Sequence, residues 1–273
     1  SLIYFFIISL SSFFIQKLFK NNLSLGFYDY NYQRFFFSGV FFIVGYFFHT
    51  VFTFKKLIKV GVAIYANGYE RLDVIKEKIG NYPDFIHVDI VDNSMKSDAL
   101  KIDISKLNEI KKIWPNKEIH THIMSKNPKY IIDQVYKFSK IIYFHYEINE
   151  NLTEVKNYIF KKGREPGLVL MAKNKYQDLN FIIDDFKEVM ILSIDNPGYS
   201  GQKFNEESYE LINQLDKSFK RKNFNLLVDG GVNSSIIKKI NCEKIVSGAA
   251  VLNSKKPIYE IMKLQTVSRY ESI

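Results

Sequence analysis

The stretch DFIHVDIV, residues 84–91, combines an apolar run with one histidine and two acids. In a β-strand, side chains at alternate positions point to the same side, so His87 and Asp89 would share one face and Val88 and Ile90 the other. Taken alone, this pattern is typical of a half-buried edge strand whose polar face meets water. The segments that surround it along the chain favour a different interpretation.

Apolar runs of this kind recur along the chain and alternate with amphipathic stretches. The runs are LIKVGVAIY (57–65), DFIHVDIV (84–91), KEIHTHIM (117–124), KIIYFHYE (140–147), GLVLMA (167–172), EVMILSID (188–195), FNLLVDG (224–230) and EKIVSGA (243–249). Strands that alternate with helices predict βαβ units and a parallel sheet. Eight such units within residues 57–273 predict a (β/α)₈ TIM barrel. An open doubly wound sheet is the alternative, but no G-x-G-x-x-G motif follows the first run.

The barrel changes the expected position of the polar residues in the stretch 84–91. A barrel strand is covered by helices outside and packed inside, so we expect His87 and Asp89 near the C-terminal rim, where barrel active sites are built. His122 lies near the end of the third run and Asp229 at the end of the seventh. Two imidazoles and two carboxylates suit zinc, iron(II), manganese or cobalt. These four residues are therefore predicted to ligate one divalent metal at the barrel mouth.

Glycine-rich segments follow the last three predicted strands. They are NPGYSGQKF (196–204), DGGV (229–232) and SGAA (247–250). Glycines at strand ends let backbone N–H groups approach an anion, and barrels often bind phosphate after strands seven and eight. A tight turn is the alternative for any single pair. The three segments together predict a phosphate site.

Residues 1–56 differ from the rest of the chain in composition. They contain 15 of the 24 phenylalanines, and Phe35–Phe54 is 20 residues long with no charged side chain. A helix needs about 20 apolar residues to cross a bilayer core of about 30 Å. We therefore predict a transmembrane helical hairpin in residues 1–56, with Ser1–Gln16 as its first arm. A soluble, aromatic-rich hairpin is the alternative.

The predicted location is a membrane anchor with the barrel domain, residues 57–273, in the cytoplasm. Lys55, Lys56 and Lys59 follow the second span, which favours a cytoplasmic C-terminal side. The single cysteine, Cys242, excludes an internal disulfide and fits a reducing compartment. A cleaved signal peptide is not expected, and the polypeptide is expected to continue before Ser1.

The charge distribution does not favour nucleic acid as a partner. The net charge is +9, of which residues 1–56 carry +4 and the remainder +5. No dense patch of Lys and Arg interleaved with aromatic residues is present, so no nucleic-acid binding is expected. The sequence leaves a homo-oligomer possible.

The motifs, taken in order, resemble those of the ribulose-phosphate 3-epimerase family over about residues 58–265. They are H-x-D-x-x-D, H-x-M, F-H-x-E, N-P-G-x-x-G-Q, V-D-G-G-V and S-G-x-A. The resemblance implies a phosphate-binding TIM barrel that inverts C3 of a ketose phosphate, D-ribulose 5-phosphate to D-xylulose 5-phosphate.

The resemblance also implies roles for individual residues. His87, Asp89, His122 and Asp229 match the family's metal ligands. Asp89 and Asp229 match its two acid/base groups, which move protons on opposite faces of an enediolate. The positions that match substrate- and phosphate-binding residues are Met124, Gly198, Gly201, Gly230, Gly231, Gly248 and Ala249.

The chain departs from the family pattern where the sugar would be contacted. Ala63 stands where the family has serine, and Val91 and Ser193 stand where it has methionine. Asn93 and Ser200 replace glycines. The metal and acid/base set is complete, so these departures favour a related ketose phosphate as an alternative substrate.

The N-terminal part resembles a second family. Residues 34–55, RFFFSGVFFIVGYFFHTVFTFK, are similar to the closing span of the GtrA-like family, which is associated with the translocation of lipid-linked sugars. A non-catalytic domain that binds a sugar phosphate and regulates such a membrane module is therefore the alternative function.

Overall fold

The structure is a computed structural model and describes residues 58–66, 71–179 and 181–267. The strands are β1 Lys59–Tyr65, β2 Phe85–Val91, β3 Glu118–Met124, β4 Ile141–His145, β5 Glu165–Met171, β6 Glu188–Leu192, β7 Asn225–Asp229 and β8 Lys244–Val246. The helices are α1 Leu72–Ile79, α2 Ile104–Ile113, α3 Lys129–Val135, α4 Leu152–Lys161, α5 Tyr176–Leu179, α6 Ser208–Lys217, α7 Ser234–Ile237, α8 Ala249–Leu252 and α9 Pro257–Thr266. Two 3-10 turns, Ile183–Asp185 and Phe219–Asn223, precede β6 and β7.

The strands form a closed parallel barrel in sequence order. Each strand pairs with the next one, and β8 pairs with β1. This arrangement confirms the predicted TIM barrel. The carboxyl ends of all eight strands therefore open at one rim, where barrel active sites lie.

Strand β2 illustrates how the sequence builds two packed layers. Ile86, Val88 and Ile90 are fully buried in the core that includes the surrounding helices. Because side chains alternate, His87 and Asp89 face the barrel interior. The interpretation of this stretch as a half-buried edge strand is wrong, since β2 is paired on both sides.

Large aromatic rings fill the barrel interior near the N-terminal ends of the strands. The rings of Phe85 and Tyr143 lie over Gly61 and Gly167, where an added Cβ would come within 2.2 Å of a ring carbon. Glycine on one strand thus makes room for an aromatic ring on its neighbour. The interior of the barrel is therefore a packed core near the N-terminal ends of the strands. It is open only near their carboxyl ends.

A buried polar network closes the barrel base. The ammonium of Lys244 lies 2.7 and 2.8 Å from the two carboxylate oxygens of Glu188. The Tyr143 hydroxyl and the Asn225 side-chain amide also donate to Glu188, at 3.0 and 2.9 Å. Every oxygen of this buried carboxylate is therefore satisfied, as burial of a charge requires.

The predicted hairpin in residues 1–56 lies outside the described residues. The boundary at 56/57 and the GtrA-like resemblance lie there too and stay predictions. Within residues 58–66, 71–179 and 181–267, no helix has the length and apolar character needed to cross a membrane.

Candidate active site

The four predicted metal ligands come together at the open end of the barrel. One potential ligand atom from each of His87, Asp89, His122 and Asp229 lies within 4.8 Å of all the others. The residues come from β2, β3 and β7, so only closure of the barrel brings them together. Nδ1 of His122 lies 3.1 Å from Oδ1 of Asp89 and 3.8 Å from Oδ2 of Asp229. Nε2 of His87 lies 3.4 and 3.5 Å from the same two oxygens.

These distances fit a tetrahedral metal site. Ligand bonds of about 2.0–2.1 Å place neighbouring ligand atoms about 3.4 Å apart. Although Nε2 of His87 is close to both carboxylates, neither ring nitrogen of this fully buried histidine makes a hydrogen bond. A buried imidazole without a hydrogen bond is costly, and a cation between the four groups would satisfy it. The donor set therefore suits a divalent metal.

His87 lies deeper than the sequence indicated. It occupies the third position of β2, in the middle of the strand, and its side chain is fully buried. Asp89 is two residues nearer the rim and is partly exposed. The expectation that both lie at the rim is correct for Asp89 and wrong for His87, because successive inward-facing positions of a strand occupy successive layers.

The two carboxyl groups have different proton affinities. Burial acts to raise the pKa of Asp89, but the adjacent imidazoles of His122 and His87 outweigh it and hold that pKa well below its usual range. Burial and the charge of Asp89 raise the pKa of Asp229 to about 7. Burial lowers the pKa of His122 to about 4, so this ring is neutral and able to act as a ligand. A cation at the site would lower the pKa of both acids.

A cavity of about 450 Å³ opens above this cluster. Asp89, His122 and Asp229 line its floor, whereas His87 lies beneath. The cavity is also lined by every residue that was predicted to bind substrate or phosphate: Met124, Gly198, Gly201, Gly230, Gly231, Gly248 and Ala249.

The turn after β7 requires glycine for two reasons. Gly231 has φ +65°, and a Cβ at this position would lie 2.2 Å from the backbone nitrogen of Phe204. The chains after β6 and β7 thus approach each other with no room for a side chain. This packing brings two of the predicted phosphate loops to one side of the cavity.

Of the residues that depart from the family pattern, Ala63 and Ser200 line the cavity, but Ser193 does not. The buried Ser193 hydroxyl lies 2.7 Å from the backbone carbonyl oxygens of both Asp229 and Gly230. It therefore supports the turn after β7. The residues on either side of Ser193, Leu192 at the end of β6 and Ile194 after it, line the cavity instead.

Several contacts around the cavity were not predicted from the sequence. Tyr65 donates from its hydroxyl to the carbonyl oxygen of Gly198 at 2.9 Å. The Lys96 ammonium lies 4.5 Å from the ring centre of Tyr199 and 5.6 Å from that of Tyr65. The Tyr199 hydroxyl donates to Asp98 at 3.0 Å. These contacts tie the loop after β2 to the loop after β6, and they form only in the folded chain.

A sequence model described as the ribulose-phosphate 3 epimerase family matches residues 59–252. The chain belongs to this family. A ribulose-phosphate 3-epimerase from Helicobacter pylori strain J99 is 25% identical over 221 residues, covering 77% of this chain and 98% of the relative. One from Buchnera aphidicola is 31% identical over 217 residues, covering 73% and 90%. One from Escherichia coli K12 is 27% identical over 187 residues, covering 65% and 82%.

Solved structures support the barrel fold of this family member. The 3-hexulose-6-phosphate synthase from Salmonella typhimurium aligns with a TM-score of 0.58 at 14% identity, covering 77% of this chain and 98% of that one. KGPDC from Streptococcus mutans aligns with a TM-score of 0.54 at 12% identity, covering 76% and 95%. At such identities the likeness concerns the fold alone.

Family membership fixes the reaction class. Like its relatives named ribulose-phosphate 3-epimerase, the chain is an isomerase-class epimerase that acts on a carbohydrate, and the family supports a phosphorylated sugar as substrate.

Proposed function

We propose that this protein is a metal-dependent 3-epimerase that interconverts D-ribulose 5-phosphate and D-xylulose 5-phosphate or a related ketose phosphate. One observation carries the proposal. Two carboxylates from opposite parts of the chain, Asp89 and Asp229, face one point beside two imidazoles at the floor of the cavity.

Inversion at C3 needs two acid/base groups, one for each face of a planar intermediate. Asp89 and Asp229 supply them. In one direction, one carboxylate accepts the C3 proton and the other donates a proton to the opposite face. In the reverse direction the roles are exchanged. At each turnover one group must begin charged and the other protonated, and the two exchange these states when the direction reverses.

His87, Asp89, His122 and Asp229 would hold the divalent cation. When bound, the cation would supply electrostatic stabilisation for the negative charge that develops on the substrate oxygens as the C3 proton leaves. The donor set suits zinc, iron(II), manganese or cobalt. Burial of the two histidines excludes water from the side of the cluster that faces the barrel core.

The phosphate group of the substrate would bind at the glycine loops. Gly198, Gly201, Gly230, Gly231 and Gly248 line one end of the cavity, where backbone N–H groups can approach an anion closely. Lys203 also lines the cavity and adds a positive charge. Met124 and Ala63 would contact the sugar, and Ala63 offers no hydroxyl to it.

The direct test is solvent deuterium exchange at C3, measured by NMR on a panel of ketose phosphates with the full chain. Exchange with ribulose 5-phosphate supports the pentulose assignment. Exchange with another ketose only would keep the reaction and change the substrate. No exchange with any ketose, in protein loaded with each of the four metals, would favour the non-catalytic regulatory alternative.

We also propose that residues 1–56 anchor the barrel domain to a membrane, with the barrel in the cytoplasm. The uncharged stretch Phe35–Phe54 supports this proposal. Membrane fractions of expressing cells, washed with alkaline carbonate, should retain the full chain. Its release by the wash would count against a spanning anchor.

A further inference from the structure

Two polar residues beyond the metal ligands, His145 and Glu147, continue the line of contacts that starts at the cluster. Nε2 of His122 lies 2.9 Å from Nε2 of His145. Nδ1 of His145 lies 3.6 Å from Oε2 of Glu147, which is longer than an ordinary hydrogen bond. Nδ1 of His122 faces Asp89 at 3.1 Å. The contacts therefore run from Glu147 to His145, from His145 to His122, and from His122 to the other proposed metal ligands.

All three groups are shielded from water. The His122 and His145 side chains are 0% and 1% exposed. Both carboxylate oxygens of Glu147 are buried and have no hydrogen-bond partner of ordinary length. Burial acts to raise the pKa of Glu147, but the adjacent His145 outweighs it, so the carboxylate keeps its charge. The Glu147 side chain as a whole is 22% exposed, but its carboxylate oxygens face the protein interior.

Metal binding at Nδ1 of His122, the atom that faces Asp89 and Asp229, requires the ring proton on Nε2. That N–H then donates to Nε2 of His145. With Nε2 as an acceptor, His145 carries its own proton on Nδ1, the atom that faces the Glu147 carboxylate. In the opposite tautomer, Nδ1 of His122 would donate to Asp89 and could not bind a metal.

We propose that His145 and Glu147 are positioning residues that fix His122 in its metal-binding tautomer. Metal-bound histidines commonly donate their second N–H to a carboxylate or carbonyl. Here a second imidazole stands between the ligand and the carboxylate. The inference rests on the metal site of the proposed function. It also gives a role to the F-H-x-E motif, because His145 ends β4 and Glu147 follows in the turn after it.

The first test measures metal affinity by chelator competition on the full chain, with manganese and with zinc. His145→Leu removes the acceptor and should weaken binding about 10- to 100-fold. His145→Gln retains a carbonyl acceptor and should lose less. His120→Leu is the matched control, because His120 is a buried imidazole that contacts Glu118 on the same barrel but lies outside the ligand cluster. It should bind metal as the wild type does.

The second test compares Glu147→Leu with Glu118→Leu in the same competition assay. Removal of the Glu147 carboxylate should weaken metal binding, because the N–H on Nδ1 of His145 loses its acceptor, whereas Glu118→Leu should bind metal as the wild type does. In zinc-loaded wild type, long-range ¹H–¹⁵N spectra should show protons on Nε2 of His122 and on Nδ1 of His145. Circular dichroism melting curves establish that each variant is folded.

The outcomes separate this inference from the proposed function. Wild-type affinity in His145→Leu, or an Nδ1 proton on His122 in the zinc-loaded wild type, would overturn the inference and leave the epimerase assignment standing. A wild-type chain that binds neither metal would overturn the metal site itself. Unchanged C3 exchange in variants with weakened metal binding would refute metal dependence while supporting the positioning role of His145 and Glu147.

Discussion

Asp89 and Asp229 lie 140 positions apart in the chain, yet both present a carboxylate oxygen to Nδ1 of His122, at 3.1 and 3.8 Å. Barrel closure alone creates this convergence, because β2 and β7 are not neighbouring strands. Two acids that share one imidazole nitrogen repel each other unless a cation or a proton separates them. This relationship is the basis of the proposed acid/base pair and metal site.

Replacing either carboxylate with its amide should abolish epimerisation. Asp89→Asn and Asp229→Asn each remove an acid/base group, and general acid–base catalysis contributes about 10²- to 10⁴-fold to the rate. We therefore expect kcat to fall at least about 100-fold in each variant. A coupled assay of pentulose epimerisation gives the measurement. Asp178→Asn, at an exposed position on α5, is the matched control and should keep wild-type activity.

Removing metal should lower both activity and stability. A ligand at about 100 times its Kd stabilises the folded state by about 2.7 kcal/mol, which corresponds to a rise in Tm of about 5–10 °C for a domain of this size. Chelator-treated protein should regain this rise when a divalent cation is added back, as followed by calorimetry. His87→Gln should abolish the shift, and an identical shift in that variant would rule out His87 as a ligand.

Tyr65→Phe should raise KM more than it lowers kcat. The change removes the hydrogen bond to the carbonyl of Gly198, which lies in a proposed phosphate loop. A neutral hydrogen bond is worth about 0.5–1.5 kcal/mol, so KM should rise about 2- to 12-fold. Steady-state kinetics provide the comparison with Tyr82→Phe, a change at an exposed tyrosine. Equal KM values for the two variants would mean that Tyr65 does not position this loop.

Gly231→Ala should destabilise the fold more than Gly163→Ala. Both glycines have positive φ, +65° and +72°, so both substitutions carry a backbone penalty. Only the Cβ at Gly231 would collide with backbone, that of Phe204, whereas nothing lies within 4 Å of a Cβ at Gly163. The collision should cost about 1–3 kcal/mol beyond the shared penalty. Denaturant unfolding of the two variants measures the difference.

Asp92 should stabilise the fold at neutral pH and lose this effect in acid. Burial acts to raise its pKa, but hydrogen bonds from Ser125, Ser94 and Tyr130 outweigh it and lower the pKa. A lowered folded-state pKa gives stability that is present above the unfolded value of about 3.9 and is lost as the pH falls through the folded value. The wild type should therefore exceed Asp92→Asn in unfolding free energy at pH 7.

The same difference between wild type and Asp92→Asn should shrink as the pH is lowered below about 4. Urea unfolding curves at several pH values give the comparison. A difference that stays constant across this range would show that the hydrogen bonds do not depend on the charge of Asp92.

Local sequence patterns were sufficient to predict the barrel and to locate the candidate site residues. The alternation of apolar runs with amphipathic stretches depends on local periodicity, which every strand and helix carries in its own residues. The candidate ligand residues could be proposed for the same reason, because His87 and Asp89 must share one face in any strand. Glycines after β6, β7 and β8 were readable because backbone space at strand ends restricts residue choice.

The depth of a side chain in the barrel, the direction in which it points and its contact partners could be read only from the folded structure. His87 lies below the rim, Ser193 turns towards the β7 backbone instead of the cavity, and His145 meets His122 with Glu147 beyond it. Each of these facts depends on the register between neighbouring strands and on the closure of the barrel. Such relationships join residues that are far apart in the chain, so no local pattern encodes them.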